Sequence, residues 1–401
     1  MNPMRYPFGT ITISGKTKKL INECLESTRL SGGNLVREFE TSFAKIIGTS
    51  DAIAVNTGTA ADALAMAVMY DFGAQRNDEV IVPALSFAAT GNAVLEAGFK
   101  PVFVDIERTT LNINPAMIER AITPRTKAIM PVHLMGKCAD MDPIMDIASR
   151  HKLFVIEDAA EAQGAFYKGR QAGTIGDTAA FSLYIAHLIS SVEGGMVTTN
   201  KPEYAEILRS LRAHGRACKC EQCVVSSQQQ YCAKRFTYNT DVRFVFERIG
   251  FSAKMNELEA AVGLGYIEMY RDILSKRWDN WNYIRAQFSP LRGRLQTIDP
   301  SPFETMSPYA FPVIVPENAS FSRDELTFYL EKNGIDTRSL FASMPTQCKG
   351  FGFLGYKAGS FPEAEYIGSH GFHVGIHHDI NHSHIDYFIQ LLTTFLSEKN
   401  A

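Results

Sequence analysis

Short, nearly continuous apolar runs separated by helical periodicity dominate the first half of the chain. Asp51–Asn56, Glu79–Pro83, Pro101–Asp105, Lys127–His133 and Leu153–Glu157 read as strands, while Ala60–Tyr70 and Leu85–Ala97 carry helical spacing. Strands that are apolar throughout and alternate with helices predict a parallel or mostly parallel sheet covered on both faces. Upstream, Lys16–Ser31 and Leu35–Ile47 predict two helices parted by the turn Gly32-Gly33-Asn34. The stretch Phe181–Gly195 is built differently. Its apolar residues are interrupted by Ser182, His187, Ser190, Ser191 and Glu193, and a double glycine closes it before Met196–Thr199 resumes a strand pattern. Strand, polar turn with one ionisable group, glycine bend and second strand place His187 on a loop between sheet elements, where chemistry is commonly held.

Beyond Asn200 the pattern predicts a charged helix to about Ala213, a cysteine-bearing insert over 214–240, and a stretch Arg243–Leu264 that is helical in its second half. Tyr266–Phe288 predicts a long helix suited to joining two domains. Tyr309–Val315 and Phe372–Ile376 read as strands, Gly334–Leu340 as the start of another, Ser322–Asn333 as a helix capped by Ser322, and His384–Ser397 as a closing helix. We therefore expect a large domain over 1–265 and a smaller mixed α/β domain over 266–401. A length of 401 residues suits two cores.

A formal net charge of −3 leaves no global basic field, so nucleic-acid binding has no support at the level of the whole chain. No run of about 18 apolar residues occurs, and the opening residues lack an apolar segment followed by a small-residue cleavage site. These features predict a cytoplasmic protein with no membrane contact.

Candidate chemistry comes from placement. Thr57-Gly58-Thr59-Ala60 sits between a strand and a helix start, where free N–H groups and the helix dipole favour an anion, a phosphate above all; a plain cap by Thr57 or Thr59 reads equally well. Asp158 lies just past a strand end, where open α/β sheets bind ligands, or caps the next helix. Cys218, Cys220, Cys223 and Cys232 are crowded together, which in a reducing compartment favours metal or iron–sulfur binding over disulfides. His370, His373, His377, His378, His382 and His384 are spaced irregularly, as a strand leading into a solvated turn would be. Arg338 is a candidate anion contact or an ordinary ion-pair partner.

Five motifs in register then carry a resemblance: Glu38–Ala44, Asn56–Ala60, Val82–Thr90, Glu157–Ala160 and Glu193–Asn200. Together they resemble the vitamin B6-dependent sugar aminotransferase family (DegT/DnrJ/EryC1/StrS) over essentially the whole chain. The resemblance implies fold type I of the pyridoxal phosphate enzymes, with a mostly parallel seven-stranded sheet, and a homodimer with shared active sites. It also implies that Gly58, Thr59 and Ala60 with Ser182 hold the cofactor phosphate, that Phe87 stacks on the ring, and that Asp158 pairs with the ring nitrogen. Glu161 falls where such aminotransferases commonly have glutamine. Ser252 and Lys254, in Gly250–Met255, replace residues that reach into the neighbouring subunit's site. His377 or His378 is a candidate for the substrate pocket.

The main departure is His187, which stands where the aminotransferases carry the lysine that binds the cofactor covalently. Imidazole forms no such stable link but moves protons near neutral pH. The cofactor is therefore expected to work as pyridoxamine phosphate, held non-covalently. Ala186-His187 resembles the branch that removes the C3 hydroxyl of nucleotide-linked 4-keto-6-deoxy hexoses, with histidine as base. Two kinds of 3-dehydratase exist in that branch: one uses a [2Fe–2S] cluster and a reductase partner, the other regenerates the amine from glutamate. The cysteine segment resembles the former, although Ala160 occupies one ligand position; zinc or a metal-free loop are the other readings. A sugar aminotransferase using glutamate, and a catalytically silent cofactor-binding regulator, are the alternative functions.

Overall fold

The computed structural model describes residues 5–218, 220, 223–225 and 230–399. The readings that touch Met1–Met4, Lys219, Gln228 and Gln229 lie outside them.

Seven strands form the main sheet in the order 51–55, 195–199, 178–182, 154–158, 126–129, 79–83, 100–104. Gly195–Thr199 runs antiparallel to both neighbours, and the other ladders are parallel. This is the expected fold type I sheet, mostly parallel and seven-stranded. Its apolar strands feed two cores. Ile53, Val55, Val80, Val82 and Ile156 point into one, and Ala52, Ala54, Ile81 and Val155 into the other. The two-residue repeat of a strand sends neighbours to opposite faces, so a run apolar at every position is what a sheet covered on both sides requires.

Several elements differ in extent from the expectation. Leu85 and Ser86 form a short strand pairing with Ala342–Ser343, and the helix begins only at Ala88. The strand expected to run to His133 ends at Ile129. Glu257–Phe288 is one helix, started by a capping box between Asn256 and Glu259, so residue 266 lies inside it. Tyr266 and Ile273 pack into one core, and Trp281, Ile284 and Phe288 into the other. The C-terminal sheet has the order 310–314, 371–375, 337–339, all antiparallel. The N-terminal stretch joins it: Arg5 and Tyr6 donate to the Gly334 carbonyl, and Phe8 donates to Asp336. Ser322 caps Arg323–Lys332 as expected. Among the described residues no helix is long and apolar enough to cross a membrane.

At the centre of the sheet Glu157 is fully buried. It accepts from the N–H groups of Gly173, Ile175 and Gly176 at 2.7–2.9 Å. His133 Nδ1 accepts from Ala139 N–H, so its Nε2–H must donate to Glu157, at 3.0 Å. Burial pushes the Glu157 carboxyl up, but the bonds from His133, Gly176 and Gly173 outweigh it and hold the group below its usual range. A depressed carboxyl stabilises above its unfolded pKa and loses that contribution as pH falls through its folded value. Glu157→Gln is therefore expected to lower the unfolding free energy at pH 7 by about 3 kcal/mol in urea titrations. The gap from wild type should narrow toward pH 4.

Candidate active site

The strand that fixes Glu157 ends at Asp158, and the alternation of strand side chains turns this second carboxylate to the opposite face. Asp158 accepts from the Thr90 hydroxyl at 2.8 Å and from Ala160 N–H at 3.3 Å, and Thr90 also meets Ser86. Burial raises its carboxyl, with Thr90, Ala160 and His133 acting in the other direction. No cation touches it among the described residues, so it is a desolvated acid suited to a protonated ring nitrogen. The helix start that supplies Thr90 also presents Phe87, whose ring is 64% exposed. Asp62, one turn into the helix Gly58–Ala67, is a second buried acid; its Oδ1 has no partner, and burial and then Asp158 push it well up.

The expected phosphate cradle falls where this ten-residue helix meets the strand Thr178–Ser182. Thr57 is the N-cap and accepts from Ala60 N–H at 3.0 Å. The capping role is therefore filled by Thr57, and the Ala60 amide, expected to serve the cofactor, is already engaged. Gly58 and Thr59, as the first two helical residues, have no intrahelical acceptor and keep their N–H groups available. A Cβ on Gly58 would lie 2.7 Å from the Ser182 Cβ, and one on Gly195 would lie 2.2 Å from the Thr57 carbonyl oxygen. Only glycine lets these backbones approach, and Ser182 pairs with Gly195 across the ladder.

The His187 loop is tied at several points. Gln163, buried, donates to the Ser182 carbonyl at 2.9 Å and accepts from Ile189 N–H at 2.6 Å. Arg277 donates to the Ala186 and His187 carbonyls at 3.0 and 3.3 Å. The His187 Nδ1 is buried without a partner, which leaves Nε2 as the reachable nitrogen. Burial, and then Arg277, pull the imidazole down to about 3, so it stands as the free base at neutral pH. Its ring lies 5.3 Å from Tyr309, and a wall of rings continues through His373 to Phe341 and Phe87 at steps of 5.8–6.4 Å. Glu161 accepts from Met135 N–H at 2.6 Å. Burial pushes it up to about 8, with Met135 opposing and Asp158 adding. Its neighbour Tyr309 is raised by burial and then by Glu161.

Other expectations fare differently. Arg338 is exposed and lies 4.1 Å over the Phe8 ring, beside His373 across the strand pair, with no ion pair of its own among the described residues. His377 is not a free pocket residue: Nδ1 accepts from Asp379 N–H and Nε2 donates to the Pro7 carbonyl, so backbone uses both nitrogens. Ser252 and Lys254 lie exposed on a segment that bridges Ala213 and Val55. Cys218 meets Cys220, but no three His, Cys, Asp or Glu residues gather as a metal-holding set among the described residues. Beyond the rise from burial, Cys223 also acts on the Cys218 thiol, raising it further. The late histidines have local uses: His370 and His382 stack on Tyr366 and Tyr283.

The pattern along the chain does not single out Gln163, Arg277 or Tyr309 as site residues. Thr90 lies within the Val82–Thr90 motif, so a signal for it exists; Arg277 reads as one more charge on a long helix.

Known proteins resemble this chain in family, sequence and fold. A model described as the DegT/DnrJ/EryC1/StrS aminotransferase family matches residues 12–393. The chain is 34% identical to dTDP-4-dehydro-2,6-dideoxy-D-glucose 3-dehydratase of Saccharopolyspora spinosa, over 99% of this chain and 87% of the relative. It is 36% identical to GDP-perosamine synthase of Caulobacter vibrioides, over 83% of each. Its fold matches Escherichia coli GDP-4-keto-6-deoxy-D-mannose-3-dehydratase with bound hydrated PLP at a TM-score of 0.86 and 28% identity, covering 98% of this chain and all of that one.

The cradle makes a direct prediction. Gly58→Val forces its side chain into Ser182, and equilibrium dialysis should show pyridoxal phosphate binding weakened by about tenfold or more. The melting temperature without cofactor should also fall, because the helix and strand must part, so affinity is read well below it. Unchanged affinity would place the phosphate elsewhere.

Proposed function

Because the chain belongs to the DegT/DnrJ/EryC1/StrS aminotransferase family of pyridoxal-phosphate-dependent sugar enzymes, we propose that it removes the C3 hydroxyl of a nucleotide-linked 4-keto-6-deoxyhexose. The observation that carries this reading is His187. It stands on the loop where the aminotransferases have lysine, with a free-base ring and one reachable nitrogen.

The residues present fit pyridoxamine phosphate. Gly58 and Thr59 N–H groups with the Ser182 hydroxyl would hold its phosphate, Asp158 its ring nitrogen, and Phe87 one face of the ring. When bound, the cofactor supplies an amine that condenses with a keto sugar and a ring that stores an electron pair. The protein moves the protons. His187 accepts one on Nε2 and returns it to the departing hydroxyl as water forms. Its burial against Arg277 disfavours a resting imidazolium, so the ring rests unprotonated and gives the proton up readily, at the cost of a weaker pull in taking it. Asp158, desolvated and braced by Thr90, favours the protonated ring nitrogen that electron storage requires. Arg338 would meet an anion, either the sugar diphosphate or the carboxylate of glutamate as amine donor. The exposed segment with Ser252 and Lys254 would serve a second copy of the chain.

Two tests address this reading. With pyridoxal phosphate and glutamate, the absorbance spectrum should convert to the amine form, and borohydride treatment before intact mass should find no protein adduct. With a nucleotide-linked 4-keto-6-deoxyhexose added, His187→Asn should keep cofactor binding but lose at least about 10²-fold in turnover. A lysine adduct, or an aminated sugar as product, would favour the aminotransferase; no cofactor binding would favour a silent regulator.

Glu161, mostly protonated at neutral pH, has the donor and acceptor of a glutamine amide. Glu161→Gln should therefore bind pyridoxal phosphate within about twofold of wild type at pH 7. Above pH 8 the wild-type affinity should fall relative to that of the variant as Glu161 ionises.

A further inference from the structure

Arg277 is 3% exposed in the middle of the helix Glu257–Phe288. Buried arginines ordinarily meet a carboxylate, yet among the described residues this one forms no ion pair. Its guanidinium faces four main-chain carbonyls instead. Nη2 reaches Ala186 and His187 at 3.0 and 3.3 Å, and Nη1 reaches Pro308 and Tyr309 at 3.3 and 3.1 Å, while Nε has no partner. For packing alone an apolar side chain of similar volume would serve as well, because a buried charge costs desolvation that hydrogen bonds to neutral carbonyls offset incompletely. The four carbonyls belong to two segments far apart in sequence. Each ends on a ring of the site, and those rings, His187 and Tyr309, lie 5.3 Å apart.

We propose that Arg277 is a positioning residue that clamps the His187 loop and the Tyr309 segment into one frame, setting the imidazole of His187 where it can take a proton. The proposal rests on reading His187 as the proton carrier. A planar guanidinium can bridge two pairs of carbonyls from fixed angles, which a lysine ammonium, a point donor on a flexible stem, cannot. The same cation, buried beside the ring, opposes protonation of His187 at rest. The other groups facing that ring are Tyr184 and Tyr309, with Glu161 acting on Tyr309. No carboxylate is hydrogen-bonded to His187 among the described residues.

The test uses the full chain labelled with ¹⁵N-histidine, first without cofactor, with the His187 resonance assigned by its loss in His187→Asn. In Arg277→Met the ring should titrate at least about one pH unit higher than in wild type, because the opposing charge is gone. In Arg277→Lys the titration should stay low, while turnover of a nucleotide-linked 4-keto-6-deoxyhexose falls about tenfold or more with KM little changed. An unmoved His187 titration in folded Arg277→Met overturns the proposal, as does wild-type turnover in Arg277→Lys. If Arg277→Met does not fold, the lysine variant decides alone. Failure of the functional reading is distinguishable: full activity in His187→Asn would remove the proton role and leave the titration result standing as a statement about the Arg277 charge beside the ring.

Discussion

Adjacent residues of a strand point to opposite faces, and at the end of Phe154–Asp158 this rule sorts two carboxylates into two jobs. Glu157 turns to one side, where three backbone N–H groups and His133 satisfy it completely. Asp158 turns to the other, where only Thr90 and Ala160 meet it and its charge is left for something else to complete. The strand is held in place by the first carboxylate and presents the second. Because the neighbouring strand of the ladder ends at Ser182, moving Glu157 would shift the floor of the site as a whole.

On that floor stands a loop that has no regular secondary structure and is rigidly tied nonetheless. Gln163 grips the loop at Ser182 and Ile189, and Arg277 holds the carbonyls of Ala186 and His187 from the long helix behind it. Glycine at 58 and 195 lets the cradle helix and the strands close on each other. The result brings a helix start with free N–H groups, a desolvated acid, an exposed ring and a neutral imidazole to one end of a mostly parallel sheet, which is where such sheets bind ligands.

Most of this fold was legible in one dimension because strands buried on both faces are apolar at every position, a pattern that half-exposed strands and amphipathic helices do not produce. The differences have local causes. Leu85 and Ser86 read as helix because they lead directly into the helical spacing that follows, and only pairing with Ala342–Ser343 makes them a strand. The long helix begins nine residues before the expected boundary, at the Asn256–Glu259 capping box. An asparagine three residues ahead of a glutamate is too common along a chain to mark a helix start without its geometry. His377 looked available because a sequence does not show that Pro7 and Asp379 fold against it. Of the four cysteines, Cys218 lies beside Cys220 and is influenced by Cys223, but no three-residue metal-holding set forms among the described residues.

By itself the sequence determined most of the strand and helix order and the family, and it pointed to His187 through that resemblance, because these depend on residue type at fixed spacing. Only the tertiary structure decided which groups are charged, paired or free. Whether His187 is a base or a buried core residue depends on the orphaned Nδ1 and on Arg277, ninety residues away in sequence. Whether Asp158 waits for a cation depends on what else reaches it from the helix starting at Ala88. Protonation and hydrogen bonding are set by desolvation and distance, and those exist only once the chain has packed.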